Sequence, residues 1–249
     1  MGERISFKSN GHSAEGYLAK PAGPGPAVIV IQEWWGLVPH IEDVADRFAA
    51  AGFVALAPDL FHGTTAKSSD QAGKLMMSLR IDEAARDLAG AIDYIAALPE
   101  LTAGKVGTIG FCMGGALSLY AASQNPEVAA CAVFYGGHPN VKPDLAALQA
   151  PVLGIYAGKD TFVSPAIVSA LDQQLTALGK RHEFHTYPNA DHAFFNDARP
   201  EVYDAAAAED AWARTLAFFR RELPPSRSER YGEPRRSSHE LDASGGGNG

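Results

Sequence analysis

Cysteine is scarce in this chain. There are two in 249 residues, Cys112 and Cys131, which make no disulfide framework and match neither a zinc knuckle nor a C-x-x-C redox pair. Each has to be judged alone. Positive charge is also short, with 21 Lys and Arg against 29 Asp and Glu for a formal net charge of -8, and the cations are scattered. No basic face is available to neutralise a phosphate backbone, so neither nucleic acid nor an anionic membrane is an expected partner. No segment has the roughly 20 uninterrupted apolar residues of a membrane span. The charged start Met1-Gly2-Glu3-Arg4-Ile5 lacks the apolar run of a signal peptide, so the expectation is a cytoplasmic protein.

What is present suits a globular domain: 46% of residues are apolar and 9% aromatic. One domain over 1–223 is expected. Pro224 to Gly249 is rich in Pro, Ser, Arg, Gly and Glu, and it reads as a disordered tail with too little apolar surface to offset ordering entropy. A monomer is compatible with this pattern.

Arg4 to Lys8 and Ala14 to Lys20 read as two strands around Asn10-Gly11, a dipeptide that favours a tight hairpin turn. Unalternating apolar runs follow at Ala27–Ile31, Phe53–Ala57, Val106–Ile109, Ala129–Tyr135 and Pro151–Tyr156, the signature of strands buried on both faces of a parallel sheet. Helix-period stretches alternate with them at Ile41–Ala51, Asp82–Leu98, Gly114–Ser123, Pro165–Leu178 and Val202–Leu223. Alternation of this kind predicts a doubly wound, mostly parallel α/β sheet with helices on both faces, after an N-terminal antiparallel hairpin. Chemistry in such sheets is sought just past the carboxyl ends of the strands.

Three strand ends carry candidate groups. Gly110-Phe111-Cys112-Met113-Gly114-Gly115 is a strand, a tight turn and a helix start, with Cys112 at the centre of G-x-C-x-G. The turn strains the nucleophile's backbone, and the flanking glycines let neighbouring chain pack closely. A helix N-terminus favours a thiolate there, and the Met113 N–H points at a developing oxyanion. A buried structural cysteine in a Gly-rich turn fits the same motif. Further on, Gly158-Lys159-Asp160 ends one strand and Asp191-His192-Ala193-Phe194 follows another. The order nucleophile, acid, histidine is that of an α/β-hydrolase. Asp160 is preferred to Asp191 as the acid, because a neighbour in the chain is poorly placed to meet the His192 ring. His182 and His185, three residues apart in a strand, point to opposite faces, so no metal site is expected.

Together with Val30-Ile31-Gln32-Glu33-Trp34-Trp35-Gly36, Ala57-Pro58-Asp59-Leu60 and Tyr135-Gly136, these segments resemble the dienelactone hydrolase family over about Ile5 to Leu223. The resemblance implies an α/β-hydrolase fold and hydrolysis of a small carboxylic ester or lactone, with Cys112, Asp160 and His192 as triad. It also implies that Glu33 lies beside the thiol and helps convert it to thiolate, and that the Trp34 N–H is a second oxyanion donor. No cofactor is implied, because hydrolysis needs only water. Trp35, Tyr135, His138, Phe194 and Asn196 are candidate pocket residues, although the paired tryptophans suit packing equally well.

The chain departs from the family pattern in the clamp for a substrate carboxylate. Asn196 stands where the family pattern implies an arginine, and Thr64 to Gly73 offers Lys67 but no Arg. Lys67, Lys74 and Arg80 are the candidate substitutes. Loss of the fork favours a general carboxylesterase acting on neutral small esters, and Asn196→Arg is expected to restore acid preference. A catalytically silent binding module is the third reading, opposed by the intact triad. The stretch Phe61 to Leu79 is too short for a lid domain, so an open site for small substrates is expected.

Overall fold

The computed structural model describes residues 1–9 and 11–224. Asn10 and the stretch read as a tail beyond Pro224 lie outside the described residues. The described residues form eight strands and six helices: β1 (Glu3–Ser9), β2 (His12–Ala19), β3 (Gly25–Ile31), α1 (Pro39–Ala50), β4 (Val54–Pro58), α2 (Ser69–Ser78), α3 (Ile81–Ala96), β5 (Leu101–Phe111), α4 (Met113–Gln124), β6 (Val128–Phe134), β7 (Val152–Ala157), α5 (Pro165–Ala177), β8 (His182–Tyr187) and α6 (Ala205–Glu222).

The strands make one sheet in the order β1-β2-β4-β3-β5-β6-β7-β8. β1 and β2 pair antiparallel with Ser9 opposite His12, and Gly11 takes the positive φ of 98° that a two-residue hairpin loop needs. β2 is also antiparallel to β4, while every pairing from β4 onward is parallel. The expected doubly wound sheet with its leading hairpin is the one observed.

The unalternating strands are buried on both faces because each face is roofed. Val28 and Val30 of β3 pack with Phe48 of α1 and Phe218 and Phe219 of α6, while Ile29 and Ile31 pack with Leu88 and Ile92 of α3 and Leu117 of α4. Burying one such side chain fully contributes about 1.5–3 kcal/mol, so this sandwich carries most of the stability.

The termini of several helices follow local chemistry. Pro39 opens α1 and Pro165 opens α5, where the missing N–H costs nothing. The Asp204 carboxylate accepts from the Ala207 N–H, so α6 starts at Ala205 rather than near Val202. Two elements lack a strong apolar pattern. α2 is capped by Ser68, whose hydroxyl accepts from the Gln71 N–H at 3.3 Å, but it buries only Ala72 and Met76. β8 reads His-Glu-Phe-His-Thr-Tyr, a half-buried edge strand with no continuous apolar run. His182 of β8 meets Asp172 of α5, whereas His185 feels the charges of Arg214 and Asp210 on α6 and of Glu183 on its own strand.

Candidate active site

β3, β5 and β7 end at the same edge of the sheet, and the candidate residues gather there. Cys112 follows β5 directly, with φ 52° and ψ -119°, a left-handed conformation that L residues rarely adopt. Its neighbours explain how the turn is held. The Cys112 N–H donates to the Phe134 carbonyl at 3.0 Å, and the Cys112 carbonyl accepts from the N–H groups of Gly115 and Gly137 at 2.9 and 3.2 Å. A Cβ on Gly110 would lie 1.9 Å from the Gly114 carbonyl oxygen, and one on Gly114 would lie 2.4 Å from the carbonyl oxygens of Ile31 and Gln32. Side chains on those glycines would push the start of α4 away from the β5 and β3 ends.

Asp160, in the loop after β7, is buried. Its Oδ2 lies 2.6 Å from His192 Nδ1, and its Oδ1 accepts from the Phe162 and Val163 N–H groups, both at 2.8 Å. Burial by itself would raise its pKa. The hydrogen bond and charge of His192, with those two N–H groups, outweigh it and hold the carboxyl below the ordinary range. Asp191, the rival acid, is exposed. The His192 ring is braced by Tyr135 at 5.1 Å and by Phe162, edge-on at 5.5 Å.

Glu33 follows β3 and is buried. Its Oε2 accepts from Asn196 Nδ2 at 2.7 Å, while Oε1 is buried with no protein partner. Burial raises its pKa, opposed chiefly by His40 and by the Asn196 hydrogen bond. Burial first, then the Glu33 charge, push the Cys112 thiol well above its ordinary pKa, and the Met113 N–H works the other way. Burial and the neighbouring Glu33 carboxylate thus oppose the thiolate that the helix N-terminus favours.

A cavity of about 180 Å³ brings Cys112, Glu33, Trp34 and His192 together, walled by Met76, Phe162, Ala193 and Arg199. None of the candidate pocket residues lines this cavity, although His138 lines a larger groove beside it. Tyr135 and Phe194 are fully buried and pack on each other behind His192. The His138 ring bonds the Met76 carbonyl through Nε2 at 3.0 Å, which ties α2 to the loop after β6. Trp35 and Asn196 border a separate depression, together with Lys67. Lys74 pairs with Asp70, and Arg80 with Asp82 and Glu83, all on exposed surface.

Asn196 does not sit where an arginine fork has room. It is buried between Glu33 and the Ala198 N–H, which donates to its Oδ1, so an arginine there would displace the partner of Glu33. The cation at the cavity is Arg199, three residues further along the same loop, which the sequence reading missed. Its guanidinium lies 5.6 Å from the Trp35 ring centroid and pairs with Glu201 at 2.9 Å. The Asp204 N–H donates to the Phe194 carbonyl, folding the loop back and bringing position 199 to the cavity. The nearby signal in the sequence was an Arg in that loop, displaced from its expected position.

Among the described residues no helix is long and apolar enough to cross a membrane, and no group of three His, Cys, Asp or Glu residues is placed to hold a metal ion. Comparison with known proteins places the fold. A protein of Aquifex pyrophilus called protein usf is 38% identical over 230 residues, covering 90% of this chain and all of its own. An Aquifex aeolicus protein named "Putative carboxymethylenebutenolidase" is 36% identical over 227 residues, covering 88% of this chain and 98% of its own. A solved dienelactone hydrolase-like promiscuous phosphotriesterase from metagenomic libraries superposes with a TM-score of 0.80 at 26% identity, over 90% of this chain and 98% of the other. The sheet order, with helices on both faces, is the α/β-hydrolase fold. The family model for dienelactone hydrolases matches residues 14–223, from inside β2 to the end of α6. Nearly the whole described chain is thus accounted for by one family of ester- and lactone-acting hydrolases, and this protein belongs to the dienelactone hydrolase family.

Proposed function

We propose that this protein hydrolyses a small carboxylic ester or lactone through a thioester on Cys112. The observation that carries the reading is one small, largely apolar cavity shared by a cysteine on a strained strand-to-helix turn, a buried carboxylate and a histidine braced by a second carboxylate. In the proposed cycle Glu33 takes the thiol proton, and the thiolate attacks the carbonyl carbon while the Met113 and Trp34 N–H groups receive the oxyanion. His192 enters as the imidazolium that Asp160 stabilises and gives its proton to the departing oxygen as the C–O bond breaks. Water then returns a proton to His192 as its hydroxyl attacks the thioester, and the expelled thiolate recovers its proton from Glu33. The cycle needs no metal and no redox partner.

The direct test is rapid acid quench with p-nitrophenyl acetate followed by peptide mass spectrometry. An acetyl group on the Cys112 peptide is the expected result. Acetylation confined to a serine or lysine peptide would refute the thioester.

Arg199 decides between acidic and neutral substrates. A guanidinium bonded to a substrate carboxylate in a desolvated site contributes about 1.5–3 kcal/mol. Arg199→Gln is therefore expected to lower kcat/KM for a carboxylate-bearing lactone by roughly ten- to a hundredfold more than for its methyl ester. Kinetics on both at matched ionic strength give the answer. Equal losses would assign Arg199 to packing on Trp35 and favour the neutral-ester reading.

A further inference from the structure

The cavity at Cys112 adjoins a much larger groove of about 820 Å³. Met76 and Phe162 line both spaces, so the groove lies directly beside the site. Its walls come from α2, from the start of α4, from the loop after β6 and from α5, with Met77, Leu119, Ile167 and Leu171 among the apolar side chains. Met77, Phe162 and Ile167 are three of the six large hydrophobic residues left exposed among the described residues, and all three face this one feature. Scattered exposed apolar residues need no explanation, but a cluster lining a concave surface beside a reactive centre does.

The groove is also built firmly. His138 bonds the Met76 carbonyl and so fixes α2 to the loop after β6. Gly137 leaves room for the opposite wall, since a Cβ there would lie 2.7 Å from Val163 Cγ2 and 3.0 Å from the Phe162 ring. The Asp160 carboxylate that orients His192 holds the Phe162 and Val163 N–H groups with its other oxygen. The step between cavity and groove is therefore positioned by the same carboxylate that orients His192.

We propose that this groove binds the unbranched aliphatic arm of the leaving alcohol, so that the preferred substrates are small-acyl esters of medium-chain alcohols. The proposal rests on the thioester reading above. Its direction follows from Phe162, which stands edge-on to the His192 ring. His192 protonates the departing oxygen, so whatever is attached to that oxygen leaves on the Phe162 side. The acyl arm stays with Cys112 in the small cavity, where about 180 Å³ sets a limit on its size. The few polar groups in the groove do not alter its chemistry. The His138 ring is engaged on Met76, while Lys142 and Gln174 carry polar ends on long flexible stems.

Each methylene transferred fully from water is expected to raise kcat/KM by roughly fourfold, and one lying in an open groove by about half of that. Ethyl, butyl and hexyl acetate should therefore rise by at least roughly tenfold across the series, while ethyl acetate, butyrate and hexanoate stay flat or fall. Ile167→Asp combined with Met77→Asp alters two exposed side chains away from the chemistry, so folding is not at risk. That variant should lose the rise with alcohol length, its hexyl-to-ethyl acetate ratio of kcat/KM falling toward one. A flat alcohol series, a rise along the acyl series instead, or an unchanged slope in the double variant would each overturn the assignment. Absence of hydrolysis of every ester, or hydrolysis that survives loss of Cys112, would instead refute the underlying reading.

Discussion

Cys112→Ala is expected to leave a folded protein whose ester hydrolysis is lower by at least roughly ten-thousandfold, since removing a covalent nucleophile removes the pathway rather than one contact. Initial rates on p-nitrophenyl acetate, with circular dichroism as the folding control, measure it. The fold should survive because the turn is held by backbone bonds from residue 112, to the Phe134 carbonyl and from the Gly115 and Gly137 N–H groups, which alanine retains. Cys131 provides the contrast. It is fully buried in β6, with its sulfur 3.4 Å from the Ser118 hydroxyl. Cys131→Ala should cost about 1 kcal/mol or more of stability and spare chemistry. Cys112→Ser should keep little activity, because a hydroxyl is far harder to ionise than a thiol and the same dry cavity penalises its anion too. Wild-type rates in Cys112→Ala would end the nucleophile assignment.

Asp160→Asn is the second large effect, a loss of roughly ten-thousandfold in kcat with little change in KM. The amide keeps the shape but neither stabilises an imidazolium nor fixes the ring as a carboxylate does. The carboxylate also bears on stability, and the sign is determined by its depressed pKa. A group whose folded pKa lies below its unfolded value stabilises the fold above the ordinary carboxylate range and loses that contribution as pH falls through the folded value. The gap in urea midpoint between wild type and Asp160→Asn should therefore be widest near neutrality and close on acidification. A gap that widens toward acid would contradict the hydrogen-bonded carboxylate.

The reactive turn was legible in sequence because its requirements are local: glycine at 110 and 114, and a strand before and a helix after Cys112. Asp160 and His192 were legible from their order at strand ends. The cavity walls were not. Met76 sits on a helix that buries too little to show a strong period, and Phe162 and Arg199 reach the site through loops folded by distant partners. Asn196 was misread as a vacated clamp, since nothing along the chain reveals that its amide is aimed inward at Glu33. The burial that opposes ionisation of the thiol was hidden for a related reason. A helix terminus can be read from neighbouring residues, but the degree of burial depends on the whole fold.

One loop has a property that residue-by-residue substitution would not reveal. It carries His192 and, four residues later, presents Asn196 to the Glu33 carboxylate that lines the same cavity as Cys112. The next residue, Asp197, holds His40 at the start of α1. The imidazole and the amide that holds Glu33 are thus spaced by a fixed number of peptide units, much as two teeth are spaced on one key. Lengthening the stretch by a single residue would shift one relative to the other even if every side chain were kept. The length of this segment is thus a physical requirement in its own right, apart from the identity of its side chains.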